Sequence, residues 1–246
     1  MEMNRAILTV SYGVRDVDEM RASVLPVQRS IERVFPDRVV FHALACNETV
    51  DYLKARGESA YTCAEGIAEL ENRGFKDICI APVLLAPGRV YSDLLKTAGN
   101  HPVGRPLMDE AADFEHLGRL YGDIAASAGR DVLLMGHGSD RAEGDACYLK
   151  LKDALPQNVH LACRSGSLRL EDAVRGLQRD RGLLLMPLML TAGSHARNEM
   201  AGDGSHSWKG ILRAMGFDVE VRLQGMGSIS GIQEMFAGKV IRAMGG

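Results

Sequence analysis

Two histidines carry the strongest chemical signal in this chain. His137 stands in Gly136-His137-Gly138-Ser139 and His195 in Gly193-Ser194-His195, each just beyond an apolar, strand-like run. Glycine at such a point lets the backbone turn sharply and lets a ligand come close. An imidazole there can cap a turn, move a proton near neutral pH or ligate a metal. Two at strand ends of one sheet could share a divalent ion, and nitrogen donors suit cobalt, nickel, iron and zinc. Spacing alone leaves local capping open beside metal or proton chemistry. His206, in a loop, could approach the same site. His42 and His160 are read as strand-embedded partners in a repeat, and His101 and His116 as solvated.

Other chemistries find little support. Ser139, two residues after His137, is a weak nucleophile–base pairing. The glycine-rich turns complete neither GxGxxG nor GxxxxGK[ST], and there is no GxSxG, so nucleotide binding and elbow-type hydrolysis are set aside. The five cysteines, at 46, 63, 79, 147 and 163, form no CxxC and read as small structural hydrophobes.

The elements that must position these histidines follow from periodicity. Strand-like runs at 6–10, 39–44 and 78–85 alternate with amphipathic stretches, of which 16–35 shows apolar residues three and four apart. The pattern restarts with strands at 131–136, 159–163 and 183–190. Pro82-Val83-Leu84-Leu85-Ala86-Pro87-Gly88 matches Pro187-Leu188-Met189-Leu190-Thr191-Ala192-Gly193. Each half is expected to close with a short strand, near 103–108 and 219–223, and the chain with a helix over 232–244. The expectation is an α/β protein of two similar lobes, 1–126 and 127–246, each a mainly parallel sheet flanked by helices. The small-residue run Ala125–Arg130 is the expected junction. In open parallel sheets ligands bind beyond the carboxyl ends of the strands, where both histidines stand.

Composition sets outer bounds. Of 246 residues, 46% are hydrophobic and 25% charged, with a net charge of −3, which is ordinary for a globular chain. That weak acidity, with scattered basic residues, gives no field to gather nucleic acid. No stretch nears the ~18 unbroken apolar residues of a membrane span. The N-terminus enters a strand at once, without a leader-like pattern, so the expected location is cytoplasmic.

Several segments together are recognisable. Met135-Gly136-His137-Gly138-Ser139, the run from Pro187 to Met200, Ser207-Trp208-Lys209, Val10-Ser11-Tyr12-Gly13 and Ala86–Tyr91 resemble the anaerobic cobaltochelatase family that acts on sirohydrochlorin (the CbiK type). The resemblance covers nearly the whole chain and is most specific over 187–209. It implies a class II chelatase fold with a cleft between the lobes for a tetrapyrrole substrate. It also implies Co2+ as the substrate metal, no nucleotide, a place in cobalamin biosynthesis, and self-association in some members. His137 and His195 match the family's metal-site histidines, with His137 also the proton acceptor. Ser11, Tyr12, Arg89, Ser139 and Arg164 are the expected substrate contacts.

The chain departs from that pattern at three places. Cys163-Arg164-Ser165-Gly166 stands where the family has a carboxylate, and Leu84 and Arg89-Val90 stand where its first lobe has histidine and glutamate. Arginine in place of carboxylate weakens cation capture and favours an anionic ligand. Two further readings therefore accompany the leading one. One is a divergent enzyme inserting Ni2+ or Fe2+. The other is a non-catalytic tetrapyrrole- or haem-binding protein, with Arg89 and Arg164 on its carboxylates and a histidine as axial ligand.

Overall fold

Apolar, β-rich runs form two separate all-parallel sheets in the computed structural model, which describes residues 4–245; the reading of Met1 to Met3 lies outside them. In the first, β1 (Arg5–Ser11) lies between β2 (Val39–Leu44) and β3 (Asp77–Val83). In the second, β4 (Asp131–Gly136) is flanked by β5 (Val159–Cys163) and β6 (Leu183–Leu188), with β7 (Val219–Val221) beyond β6. Parallel strands covered on both faces read as continuous apolar runs. β4 and β6 are accordingly buried at every residue, and β1 at every residue after Arg5.

Register makes the duplication visible residue by residue. Val10 pairs with Ala43 and Pro82, as Met135 pairs with Ala162 and Pro187. Tyr12 thus corresponds to His137, and both turns reach a glycine of positive φ, Gly13 at 118° and Gly138 at 74°. The same register corrects one expected equivalence. His42 pairs with Thr9 but His160 with Leu133, one step out of phase, so the counterpart of His42 is Leu161. One step along a strand reverses the face a side chain occupies, and the two histidines are not equivalent.

Helices cover both faces of each sheet. α1 (Val17–Val34) starts where the Asp16 carboxylate accepts the N–H groups of Asp18 and Glu19 at 3.0 and 3.1 Å. The amphipathic stretch expected between the second and third strands is two helices. α2 (Asn47–Lys54) ends early, and a Thr62–Glu65 capping box restarts the chain as α3 (Cys63–Asn72). α4 (Arg89–Ala98) follows β3, and its Tyr91 and Leu94 join a core with Leu8, Ile67 and Ile80. The expected strand at 103–108 is reduced to one bridge, Val103 to Ile80. Pro102 and Pro106 lack the N–H groups a longer ladder would need.

Contacts divide the chain differently from the expected 1–126 and 127–246. One unit comprises residues up to Asp109 together with those from Gly227 onward; the other is Glu110–Met226. The expected junction is the last turn of α5 (Ala111–Ala128) and its C-cap, Gly129 in the left-handed region. α5 packs against α6 (Ala142–Ala154) so closely that a Cβ on Gly118 would lie 2.3 Å from the Ala154 carbonyl oxygen. The final helix, α9 (Ser230–Ala243), packs on α1 instead. Ile232, Phe236 and Val240 are buried on α9, and Val24, Val27 and Ile31 on α1. Each such side chain contributes about 1.5–3 kcal/mol by leaving water, which fixes where each helix belongs. The second unit is completed by α7 (Leu170–Val174) and α8 (Trp208–Ala214). Among the described residues no helix is long and apolar enough to cross a membrane.

Candidate functional site

In the second unit the loops after β4, β5 and β6 bring four ionisable side chains together. His137 leaves β4 on a turn that only glycine can complete. Gly138 has φ 74°, and a Cβ there would stand 1.9 Å from the Ser165 carbonyl oxygen. That close approach lets the loop after β5 hold the His137 backbone. Arg164 N–H donates to the Gly136 carbonyl at 3.1 Å, and Ser165 donates both N–H and Oγ–H to the His137 carbonyl at 3.2 Å. Arg164 and His137 are thereby fixed side by side.

His195 opens a π-helical segment, His195–Met200, in which Ala201 N–H reaches back five residues to the Ala196 carbonyl at 3.0 Å. Such widened turns recur at functional sites. Ala196 and Met200 are the segment's buried residues. Glu199 is left beside His195, its Oε1 accepting from Nδ1 at 2.5 Å.

The hydrogen bonds assign the tautomer each ring takes in its neutral form. Carbonyl and carboxylate oxygens only accept, and guanidinium only donates. His137 Nδ1 meets the Gly138 carbonyl at 3.3 Å and its Nε2 meets Arg164 Nη1 at 3.3 Å, so the proton is on Nδ1. The Glu199 bond likewise puts the His195 proton on Nδ1. With Nδ1 engaged in each ring, Nε2 is the nitrogen left to ligate a metal when the imidazole is neutral, and Glu199 fixes His195 from behind. The ring centroids are 5.6 Å apart, edge to face at 78°.

Arg164 ties the group together. Its guanidinium grips Glu199 with two bonds, Nε to Oε2 at 2.5 Å and Nη2 to Oε1 at 3.0 Å, while Nη1 faces His137. The arginine, foremost, and then His195 hold the Glu199 carboxyl below the usual carboxylate range. Sequence reasoning did not single out Glu199. Its signal was the spacing His195-x-x-x-Glu199, which places both side chains on one face of a helical turn. Among the described residues no three His, Cys, Asp or Glu side chains form a set that could hold a metal ion. His206 is exposed in the loop before α8, with no hydrogen bond to either site histidine among the described residues.

The other expected site residues are placed as follows. Ser139 Oγ accepts the Arg141 N–H at 3.1 Å, a turn that leads into α6. Ser11, Tyr12 and Arg89 belong to the first unit, at the ends of β1 and β3. Tyr12 is exposed, as is Arg89 in the first turn of α4. Ser11 departs from the expectation of a direct substrate contact: it is buried, and its Oγ lies 3.3 Å from His42 Nε2. Thr9 Oγ1 binds His42 Nδ1 at 3.0 Å and accepts from Gln28 Nε2 at 3.1 Å. Burial pushes His42 down to about 4, so this network is neutral and structural. Leu84 is part of the first unit's core.

Comparisons with known proteins place the fold and the family. The family model for cobalt chelatase (CbiK) matches residues 5–245. The sirohydrochlorin cobaltochelatase of Salmonella typhimurium is 28% identical over 258 residues, covering 98% of this chain and 97% of that protein. Among solved structures, SirB from Bacillus subtilis with Fe3+ superposes with a TM-score of 0.67 at 13% identity, covering 98% of this chain and 96% of that one. The sirohydrochlorin chelatase SirB from Bacillus subtilis subspecies spizizenii in complex with cobalt gives 0.63 at 16% identity, covering 97% and 94%. Those structures establish the α/β chelatase fold, and the family model, spanning almost every residue, establishes descent: the chain belongs to the cobalt chelatase (CbiK) family.

Proposed function

We propose that this protein inserts Co2+ into sirohydrochlorin, without nucleotide hydrolysis, at His137 and His195. The observation that carries the reading is the pair of imidazoles, 5.6 Å apart by ring centroid, in a chain matched by the cobalt chelatase model over residues 5–245. The reaction exchanges one Co2+ for two pyrrole N–H protons. A neutral imidazole next to the ion suits it, because the same lone pair can hold the metal or accept a proton. His137 is assigned both tasks, and His195, oriented by Glu199, helps to hold the ion. Arg164 and Arg89 are assigned to the carboxylates of the macrocycle, and Tyr12 to its face. Ser139 is assigned to the turn that carries His137. We place the reaction in the cytoplasm, a reading supported by five cysteines that all remain free thiols.

A second reading has one observation in its favour. Arg164 Nη1 already occupies the His137 lone pair, and a site in this state binds anions better than cations. A tetrapyrrole-binding protein without insertion activity would keep that arrangement. Nitrogen ligation also leaves Ni2+ and Fe2+ as competing metals. The test mixes purified protein with sirohydrochlorin, adds Co2+, Ni2+ or Fe2+ in turn without nucleotide, and follows the absorption spectrum. Accelerated conversion, fastest with Co2+, is expected. A bound-macrocycle shift with no acceleration would replace the chelatase reading with the binding protein.

A further inference from the structure

We propose that Arg164 is a latch that an incoming carboxylate of the macrocycle releases, so that the macrocycle binds first and the metal second. The inference rests on the chelatase reading and adds an order and a controlling residue to it.

Three features of the site lead there. First, a metal and Arg164 cannot use His137 Nε2 together, since the guanidinium donates into that lone pair at 3.3 Å and would also repel the ion. Second, what holds Arg164 there is a carboxylate, Glu199, gripped through two bonds at 2.5 and 3.0 Å. A carboxylate on a ligand has the same shape and charge and can take the same fork. Third, the pair is reachable: the Glu199 side chain is 44% exposed and Arg164 23%.

Exchange of one carboxylate for another then changes the site in a single step. Arg164 turns to the macrocycle and uncovers His137 Nε2. Glu199 keeps the His195 Nδ1–H but loses its neutralising partner, leaving an anion beside the two lone pairs. A site that repelled a dication becomes one that attracts it, and only while the macrocycle is present. By linkage, the factor by which the macrocycle tightens the metal must equal the factor by which the metal tightens the macrocycle.

The test is a pair of binding titrations that need no turnover. Co2+ binding is followed by its visible absorption in the unmodified protein, in Arg164→Gln and in Arg164→Lys, with and without zinc uroporphyrin. That probe is a tetrapyrrole octacarboxylate whose centre is already filled. Arg164→Gln is expected to bind Co2+ at least tenfold more tightly than the unmodified protein when no porphyrin is present, and zinc uroporphyrin at least tenfold more weakly. Porphyrin should tighten Co2+ binding in the unmodified protein and leave Arg164→Gln unchanged. Arg164→Lys, which keeps charge but not the fork, should fall between. In the double variant His137→Ala, Arg164→Gln the gain in Co2+ affinity should vanish. Opposite changes in metal and porphyrin affinity are not produced by general loosening of the fold. Co2+ affinity within twofold in Arg164→Gln and the unmodified protein would overturn the latch, even if sirohydrochlorin is metallated normally. Titrations that behave as described in a protein that inserts no metal would leave the latch standing and remove the chelatase reading instead.

Discussion

At the carboxyl ends of its strands the first unit presents Tyr12, Ala45 and Val90 where the second presents His137, Arg164 and His195, counting from the shared strand registers and from Gly88 and Gly193. The scaffolds agree closely enough that Pro82 and Pro187 hold the same register. Their contents have diverged. In the first unit Ala45 and Val90 pack against the core, the histidine of the sheet, His42, is half-buried and neutral, and the exposed Tyr12 and Arg89 are joined to no second ionisable group in any described hydrogen bond. In the second the corresponding positions are partly exposed and joined through Glu199 by short hydrogen bonds. A repeated fold thus does not imply a repeated site; chemistry stands where lone pairs and charge reach solvent.

That contrast is most sharply broken or upheld by replacing the corresponding turn residues. His137→Ala should reduce Co2+ insertion on the order of 10²–10⁴-fold, the range of a lost proton acceptor, with the fold retained. Tyr12→Ala should raise KM for the macrocycle only several-fold with kcat nearly unchanged. Steady-state kinetics on both variants checks the pair, and comparable losses in kcat would contradict the division of labour.

The glycines after those residues give the next effect. Gly138→Ala meets both a positive φ and the Ser165 carbonyl at 1.9 Å, so a loss of about 3 kcal/mol or more is expected from denaturant unfolding. Gly13→Ala has the strained φ but meets Thr49 side-chain atoms at 3.2 Å, which can yield, and should cost about 1–2 kcal/mol. Equal losses would mean that the two turns are not held differently.

The desolvated imidazole of the first unit predicts an acid response. His42 falls from 6.5 to about 4 on folding, so the unfolded chain takes up its proton first. Stability is therefore full above about pH 6.5 and declines as pH falls toward 4, by about 3 kcal/mol at most. Urea unfolding between pH 7.5 and 4.5 should show a shallower decline in His42→Gln than in the unmodified protein. Parallel curves would mean that the network around Thr9 and Ser11 does not hold His42 neutral. The smallest expected effect is that of Arg89→Ala, an exposed cation, which should weaken macrocycle binding a few-fold. Unchanged affinity would remove the first unit's arginine from the substrate contacts.

Much of this architecture was legible in the sequence because parallel strands buried on both faces leave dense apolar runs, and the two prolines mark the same register. Both histidines were legible too, since glycine on either side of a strand end announces a turn. Other features were not. Which helix covers which sheet depends on apolar faces far apart in the chain, so contacts group α5 and α9 differently from the expected 1–126 and 127–246. Ser11 was read as a ligand contact, although register turns its hydroxyl onto His42. Glu199 was not singled out, because its engagement with Arg164 joins two loops 35 residues apart in the chain. Arg164, read as a substrate contact where the family has a carboxylate, is engaged in the fold with a carboxylate supplied from elsewhere in the unit.

The most direct measurement of the central claim is single-turnover insertion of Co2+ into sirohydrochlorin, monitored by absorption, with His137→Ala, His195→Ala and Tyr12→Ala side by side at saturating macrocycle. The account predicts that both histidine variants bind the macrocycle but insert Co2+ no faster than the protein-free reaction, while Tyr12→Ala at saturation matches the unmodified protein. Full insertion by either histidine variant, or loss of insertion in Tyr12→Ala with the histidines intact, would contradict the placement of the chemistry in the second unit.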